Sequence, residues 1–476
     1  VARAVSALAA GGPPELTQDQ KRAVREALSA GLSMVTGGPG TGKTTTAVGL
    51  FRALAWMGVP MDAVAVAAPT GKAAKRLADG IARALAAPAR DIADAGLGDI
   101  APVPQTLHRL LGWSPARGRF AHHENDPMPY RVVIVDEASM IDLALMERLF
   151  RALRDDARLV LFGDADQLPS VEAGTVFRDL CAALGAVRLG ANLRVAHDDG
   201  ARRIVAVAEA INGGVMGARF TAAVSVRRAV DEVTFEGVEH LAEPWSRCGQ
   251  TLLDRWWREF ASAGEGFWRR ASRTYRCHDG VFGGEDEADL SALCAHHTRT
   301  RIVCVTRGSS RPTGADAVNE RMIELLRAEA PTRSSQAWPD GAPILVQRND
   351  YGRGLYNGDQ GVVVRVDPQD GGGARPMAVF PQGDSLSLPV GLDDLHDLAP
   401  AFALTVHKAQ GSEFDHVVVV LPDEDIPLLR RDLLYTAVTR ARRSVLLVGA
   451  SDLLGRAVAR QTSRFSGVEE RLRGAR

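Results

Sequence analysis

Residues Gly37 to Thr45 read GGPGTGKTT and fit the pattern GxxxxGK[ST]. The run follows a short apolar stretch, Leu32 to Thr36, and opens an amphipathic one, Lys43 to Met57. Strand, glycine-rich turn and helix, in that order, are the context that gives this pattern its meaning. Glycines let backbone N–H groups curl around phosphate oxygens with no Cβ in the way, and a helix start adds partial positive charge. Gly37, Gly38, Pro39, Gly40, Thr41, Gly42, Lys43, Thr44 and Thr45 are therefore read as a nucleotide-binding loop. Lys43 is expected to reach the β- and γ-phosphates and Thr44 to ligate Mg²⁺. Such a loop commits the chain to an α/β fold, because it works at the carboxyl end of a strand in a sheet covered on both faces.

The rest of the first 210 residues agrees. Ala63–Ala68, Val132–Val135 and Leu159–Phe162 are short apolar runs bounded by Gly, Asp or Pro, and Lys72–Ala86 has a helical period. Trp113 to Tyr130, rich in Gly, Pro, His and Asn, reads as a small excursion. A second alternating unit begins at Arg301–Thr306 and resumes with Ala403–Val406, Val417–Leu421 and Ser444–Val448. Within it, ILVQ at 344–347, GVVVRV at 361–366 and MAVF at 377–380 are separated by Asn-Gly, Asp-Gly and Gly-Gly turns. The expected organisation is an α/β domain over 1–212 with an insertion at 113–130, a helical connecting region over 213–300, and a second α/β domain over 301–476 carrying a β-barrel at about 340–400.

Chemistry is concentrated at the ends of the predicted strands. VVIVDEAS, Val132 to Ser139, is a buried strand that ends in two carboxylates. Asp136 is expected to hold Mg²⁺ and Glu137 to orient and deprotonate the attacking water. Gln167, in LVLFGDADQLPSVEAG, has an amide that both donates and accepts and so suits γ-phosphate sensing. Arg194 and Arg440 are candidates for stabilising charge on the transferring phosphoryl group.

Bulk numbers exclude more than they assign. Lys+Arg total 57 against Asp+Glu 58, so a globally basic nucleic-acid binder is excluded and any DNA contact must be local. The 476 residues hold five cysteines, too few and too scattered for a disulfide scaffold, and no apolar run of about 18 residues that would span a membrane. A reduced, cytoplasmic setting is expected. Cys277, His278, Cys294, His296 and His297 lack the paired CxxC spacing of a zinc site and are read as packing or surface residues. No clustered acids stand outside the nucleotide motifs, so a nuclease centre is not expected in this chain.

The order of motifs resembles superfamily 1 helicases, and most closely the RecD family, the alpha subunit of exodeoxyribonuclease V. The phrases are LTQDQ at 16–20, the phosphate loop, APTGKAAKRL at 68–77, TLHRLLG at 106–112, VDEASMID at 135–142 and GDADQLPSVEAG at 163–174. RNDYGRGLYNGDQG at 348–361, LTVHKAQGSEFDHV at 404–417 and LLYTAVTRARRSV at 433–445 follow. The resemblance implies two RecA-like P-loop domains with parallel sheets, an SH3-like barrel in the second, and 5′-to-3′ movement on single-stranded or tailed duplex DNA driven by ATP with Mg²⁺. It implies RecB- and RecC-like partner subunits and work in double-strand break repair. By motif match, Gln20 reads adenine, and Gln410, Gly411 and Glu413 lie near the nucleotide. Thr70, Lys72, His108, Thr405, His407 and Lys408 line the DNA, and Arg194 and Arg440 reach the γ-phosphate. The alternatives are a stand-alone helicase of the same type, or a DNA-binding subunit with a vestigial ATPase.

Overall fold

The structure is a computed structural model. It describes residues 16–85, 101–170, 172, 174–192, 198–264, 266–331, 337–369, 371–382, 386–461 and 466–474. Two compact units form: 1–197 together with 463–476, and 198–462.

The first unit holds β1 (Leu32–Thr36), β2 (Val64–Ala68), β3 (Gln105–Thr106), β4 (Val132–Val135), β5 (Arg158–Gly163) and β6 (Val187–Arg188). They pair in the order β3-β2-β4-β5-β1-β6, every pairing parallel. VAVAA and VVIV are buried along their whole length, as strands covered on both faces must be. One face packs on helices Gln18–Ser29, Lys43–Trp56 and Gly71–Leu85 through residues such as Leu28, Phe51 and Leu77. The other packs on Leu143–Arg151 and Val176–Leu184 through Leu149, Phe177 and Leu180. A C-terminal helix, Val468–Gly474, lays Val468 and Leu472 on that second cluster.

The second unit repeats the plan with β7 (Ser225–Arg227), β8 (Gly237–Leu241), β11 (Thr300–Cys304), β17 (Ala403–Thr405), β18 (Phe414–Val420) and β19 (Ala441–Val448). Their order is β17-β11-β18-β19-β8-β7, again all parallel. A third, mixed sheet joins β9 (Thr274–His278) and β10 (Val281–Phe282) to β12 (Pro343–Val346), β13 (Gln360–Asp367), β14 (Arg375–Gln382), β15 (Leu386–Gly391) and β16 (Leu398–Pro400). β12 to β16 are antiparallel neighbours, and β9 runs parallel beside β13.

The domain boundaries differ from the sequence expectation in two places. Helix Asp199–Gly213 packs on β8 and β19, so the second unit starts at 198 rather than after 212. The stretch 213–300 is not a helical connector only: it supplies β7 and β8 to the second parallel sheet and β9 and β10 to the mixed one. Among the described residues, no helix is long and apolar enough to cross a membrane.

Candidate nucleotide and nucleic-acid site

The phosphate loop leaves β1 at Thr36 and re-enters helix at Lys43. Gly40 and Gly42 take φ of 81° and 83°, the left-handed region that glycine adopts without strain. Gly37 is required for closeness: a Cβ there would stand 2.6 Å from Thr41 Oγ1. The Lys43 ammonium folds back into the loop and donates to the Gly37 carbonyl at 2.6 Å and to the Gly38 carbonyl at 3.3 Å. Gly42 has no side chain to cap the helix start, and among the described residues no other side chain accepts from the helix's first N–H groups, so that end is open to an anion. Thr44 lies against helix Gly71–Leu85 at Gly80, where a Cβ would come within 3.0 Å of its methyl.

Two carboxylates stand at the end of β4. The Asp136 N–H donates to the Ala67 carbonyl of β2 at 2.9 Å, and its carboxylate accepts from the Glu137 N–H at 2.8 Å. Loss of solvent and the neighbouring Glu137 charge push Asp136 up to about 6, against the opposing pull of Lys43 and Arg76. A buried carboxylate disfavoured in its charged form, next to a second carboxylate, is a donor suited to a divalent cation. Glu137 has φ of 53°, uncommon for a non-glycine residue, and strain of this kind clusters at functional positions. Gln167 is buried and donates from Nε2 to Asp164 at 3.1 Å. Its Oε1 has no hydrogen-bond partner among the described residues, which leaves a buried acceptor open.

Gln20, the expected adenine reader, has both ends of its amide engaged within the protein. At 1% exposure, its Oε1 accepts from the Thr17 N–H at 2.9 Å in a capping box, and its Nε2 donates to the Thr41 carbonyl at 3.2 Å. It braces the phosphate loop from behind.

The first unit also carries Thr70, Lys72 and His108. Thr70 accepts from the Ala73 N–H at 3.2 Å at the start of helix Gly71–Leu85, Lys72 is half-buried, and His108 is exposed. In the second unit Thr405 ends the edge strand β17 and caps the short helix Val406–Ala409, accepting from the Lys408 N–H at 3.3 Å. Lys408 donates to Gln347 Oε1 at 3.1 Å, which also accepts from Arg307 at 3.0 Å. Gln347 thereby ties the mixed sheet to the Lys408 helix. Burial and Arg307 hold the Lys408 ammonium below its usual range. Gln410 is buried, Gly411 has φ of 68°, and Glu413 accepts from Arg442 at 3.2 Å. Arg440 is 2% exposed and donates to the Thr436 carbonyl at 3.0 Å and the Ser412 carbonyl at 3.2 Å. Arg194 lies outside the described residues.

The chain is similar to several known proteins. An AAA domain model matches residues 20–173, and a UvrD-like helicase C-terminal domain model matches residues 400–448. The RecBCD enzyme subunit RecD of Mycobacterium tuberculosis is 39% identical over 466 residues, which cover 95% of this chain and 73% of that protein. The chain belongs to the RecD family. The RecD subunit of Mycolicibacterium smegmatis is 38% identical over 487 residues, covering 99% of this chain and 79% of that one. The ATP-dependent RecD2 DNA helicase of Deinococcus radiodurans is 30% identical over 463 residues, covering 96% and 52%. The crystal structure of a Pif1 helicase from Candida albicans covers 97% of this chain and 98% of its own with a TM-score of 0.49 and 18% identity.

Three further residues of this RecD-family chain support the site and were not anticipated. Asn192 donates to the Pro39 carbonyl at 3.1 Å, Asp19 accepts from the Gly190 N–H at 3.1 Å, and Arg178 donates to the Ala165 carbonyl at 2.7 Å and the Gln167 carbonyl at 3.2 Å. Together they hold the phosphate loop and the Gln167 turn in register. Each acts on backbone far away in sequence, and no short motif announces such a bond.

Proposed function

We propose that this RecD-family chain is an ATP-dependent DNA helicase of the RecD type. The observation that carries the reading is the junction of an uncapped phosphate loop, the Asp136–Glu137 pair and the unpartnered Gln167 amide oxygen in one unit. ATP is the nucleotide, its phosphates held by the N–H groups of 37–45 and by Lys43. Thr44 and Asp136 would hold Mg²⁺, which would supply positive charge to the phosphates. Glu137 positions the attacking water and takes its proton. Gln167 orients groups at the γ-phosphate, and Arg440 and Arg194 stabilise charge as the phosphoryl group transfers. Thr70, Lys72, His108, Thr405, His407 and Lys408 line the DNA, which moves 5′ to 3′. The sheet of β12 to β16 is a small SH3-like barrel, a reading supported by its short antiparallel strands and tight turns.

Several relatives are named as RecD subunits of a RecBCD enzyme, which supports RecB- and RecC-like partners here. The likeness to RecD2 supports a second reading, a helicase that works alone. Substrates with a 5′ or a 3′ tail, with and without candidate partner subunits, separate these readings. Unwinding from 5′ tails only is expected, and unwinding from 3′ tails only contradicts the direction. Lys43→Ala is expected to abolish DNA-stimulated ATP turnover in a folded protein; normal turnover in that variant contradicts the site.

A further inference from the structure

The excursion after the first unit's edge strand displays an aromatic surface that the phosphate chemistry does not use. Ser114 and Arg119 pair across a tight turn, the Ser114 N–H donating to the Arg119 carbonyl at 3.0 Å and the Gly118 N–H to the Ser114 carbonyl at 2.9 Å. This turn brings the flanking rings together: the Trp113 and Phe120 centroids are 4.8 Å apart. His108 completes the cluster, 5.8 Å from Phe120 and 6.4 Å from Trp113. Phe120 is half-buried and packs on the core of the unit. Trp113 belongs to no core cluster among the described residues and is 38% exposed, and His108 is exposed beside it. The cluster is also locked in place: the Trp113 N–H donates to the His108 carbonyl at 2.8 Å, and Gly112 has φ of 69° with Ala121 packed against it.

Exposed arginines border it in sequence, with the carboxylates Glu124 and Asp126 further along the same excursion. Arg109, Arg117 and Arg119 are exposed, and among the described residues no carboxylate pairs with any of them. Glu124 in the same excursion is already held by Arg151 at 2.6 Å. An anchored, exposed ring with unneutralised guanidinium groups around it suits one ligand chemistry: a flat base on a phosphate chain. Base–aromatic stacking tolerates any sequence because every base offers a π face, and the cations hold the backbone beside it. A core role would have buried Trp113, and an acidic-peptide site would not call for a displayed indole.

We infer that Trp113, set on Phe120 and flanked by His108, is a stacking platform for a base of single-stranded DNA, with Arg109, Arg117 and Arg119 holding the adjoining phosphates. The inference rests on the helicase reading and adds to it a grip on a base.

The test uses the whole chain and oligodeoxythymidylate, with an abasic strand of the same length as control. Trp113→Ala is expected to weaken oligodeoxythymidylate binding by about 5- to 150-fold, the range that about 1–3 kcal/mol of stacking implies. Trp113→Phe restores most of the affinity and removes most of the DNA-induced quenching of tryptophan fluorescence. On the abasic strand Trp113→Ala and the parent bind alike, because no base is there to stack. The Trp113→Ala variant keeps its parent's slope of affinity against salt, whereas Arg117→Ala with Arg119→Ala lowers that slope by about 1.4. ATP turnover without DNA is unchanged in Trp113→Ala, which shows that the fold survives. Equal binding of oligodeoxythymidylate by Trp113→Ala and the parent overturns the platform while leaving the helicase reading intact. A parent chain that binds no single-stranded DNA overturns the helicase reading as well.

Discussion

The two parallel sheets place five strands in the same order and differ in the sixth, which closes the first unit as β6 and opens the second as β7, yet they treat one helix start in opposite ways. In the first unit the helix after β1 begins at a glycine with no side-chain cap. In the second unit the helix after β8, Trp245–Trp256, occupies the equivalent place. There Asp423 fills the position: its carboxylate accepts from the Trp245 N–H at 2.7 Å and the Ser246 N–H at 2.9 Å. Asp423 follows β18, the strand equivalent to β4, and so corresponds to the acids that face Lys43 in the first unit. One unit keeps its helix start for an external anion, and the other satisfies it from within. Elsewhere the units match closely. TLHRLLG follows edge strand β3 and TVHKAQG continues from edge strand β17; in each a threonine caps a four-residue helix and a glycine with φ of 69° or 68° ends the element. A common plan thus retains the same edge element twice and the nucleotide loop once.

The largest expected effect falls on the first unit's acids. Glu137→Gln should lower ATP turnover by about 100-fold or more while ATP still binds, measured by steady-state turnover beside a binding titration. Loss of binding together with turnover would assign Glu137 to holding nucleotide instead. In the second unit, Asp423→Ala removes a charged cap from two N–H groups and should destabilise that unit by about 1–2 kcal/mol in denaturant unfolding. ATP should still bind to this variant, because the phosphate loop lies in the other unit. A variant as stable as its parent would mean that the carboxylate is not acting as a built-in anion. Smaller again, Thr106→Ala and Thr405→Ala each remove one cap, about 1 kcal/mol apiece, and should have similar effects if the two edge elements are equivalent.

The acids also differ in their response to pH. Asp136 is raised to about 6, above its ordinary value, so protonation favours the folded form. Its contribution to apo stability therefore improves as pH falls through 6, while affinity for Mg²⁺-nucleotide declines over the same window. Asp289, gripped first by Arg269 and also by Arg270 and Arg273, is held at about 2. Its stabilisation is present above pH about 4 and is lost as pH falls towards 2. Nucleotide titrations and melting curves from pH 8 to 5 check the first claim; an affinity independent of pH across 6 would contradict it.

The central strands of the first unit are readable because β2 and β4 are unbroken apolar runs and β1 and β5 are nearly so, whereas the two-residue edge strands β3 and β6 carry no such signal. Leu32–Thr36 and Val132–Val135 begin and end where the pattern predicts. β8 was missed for a physical reason. Its GVEHL carries Glu239 and His240 inside the sheet, which breaks the apolar run. The fold accommodates both: Glu239 accepts from Arg227 and from the Thr234 and Phe235 N–H groups, and His240 Nε2 bonds the Gly449 carbonyl. Those partners are scattered in sequence, so no local pattern reveals them. Gln20 shows the reverse. The spacing Thr17-x-x-Gln20 is that of a capping box, which the structure forms, and this local pattern is legible in the sequence alone.

Counting the nucleotides bound per chain tests the central contrast most directly. Titration of a non-hydrolysable ATP analogue with Mg²⁺ should give one site in the parent chain and none in Lys43→Ala. Two sites in the parent, or one site that survives Lys43→Ala, would contradict the account.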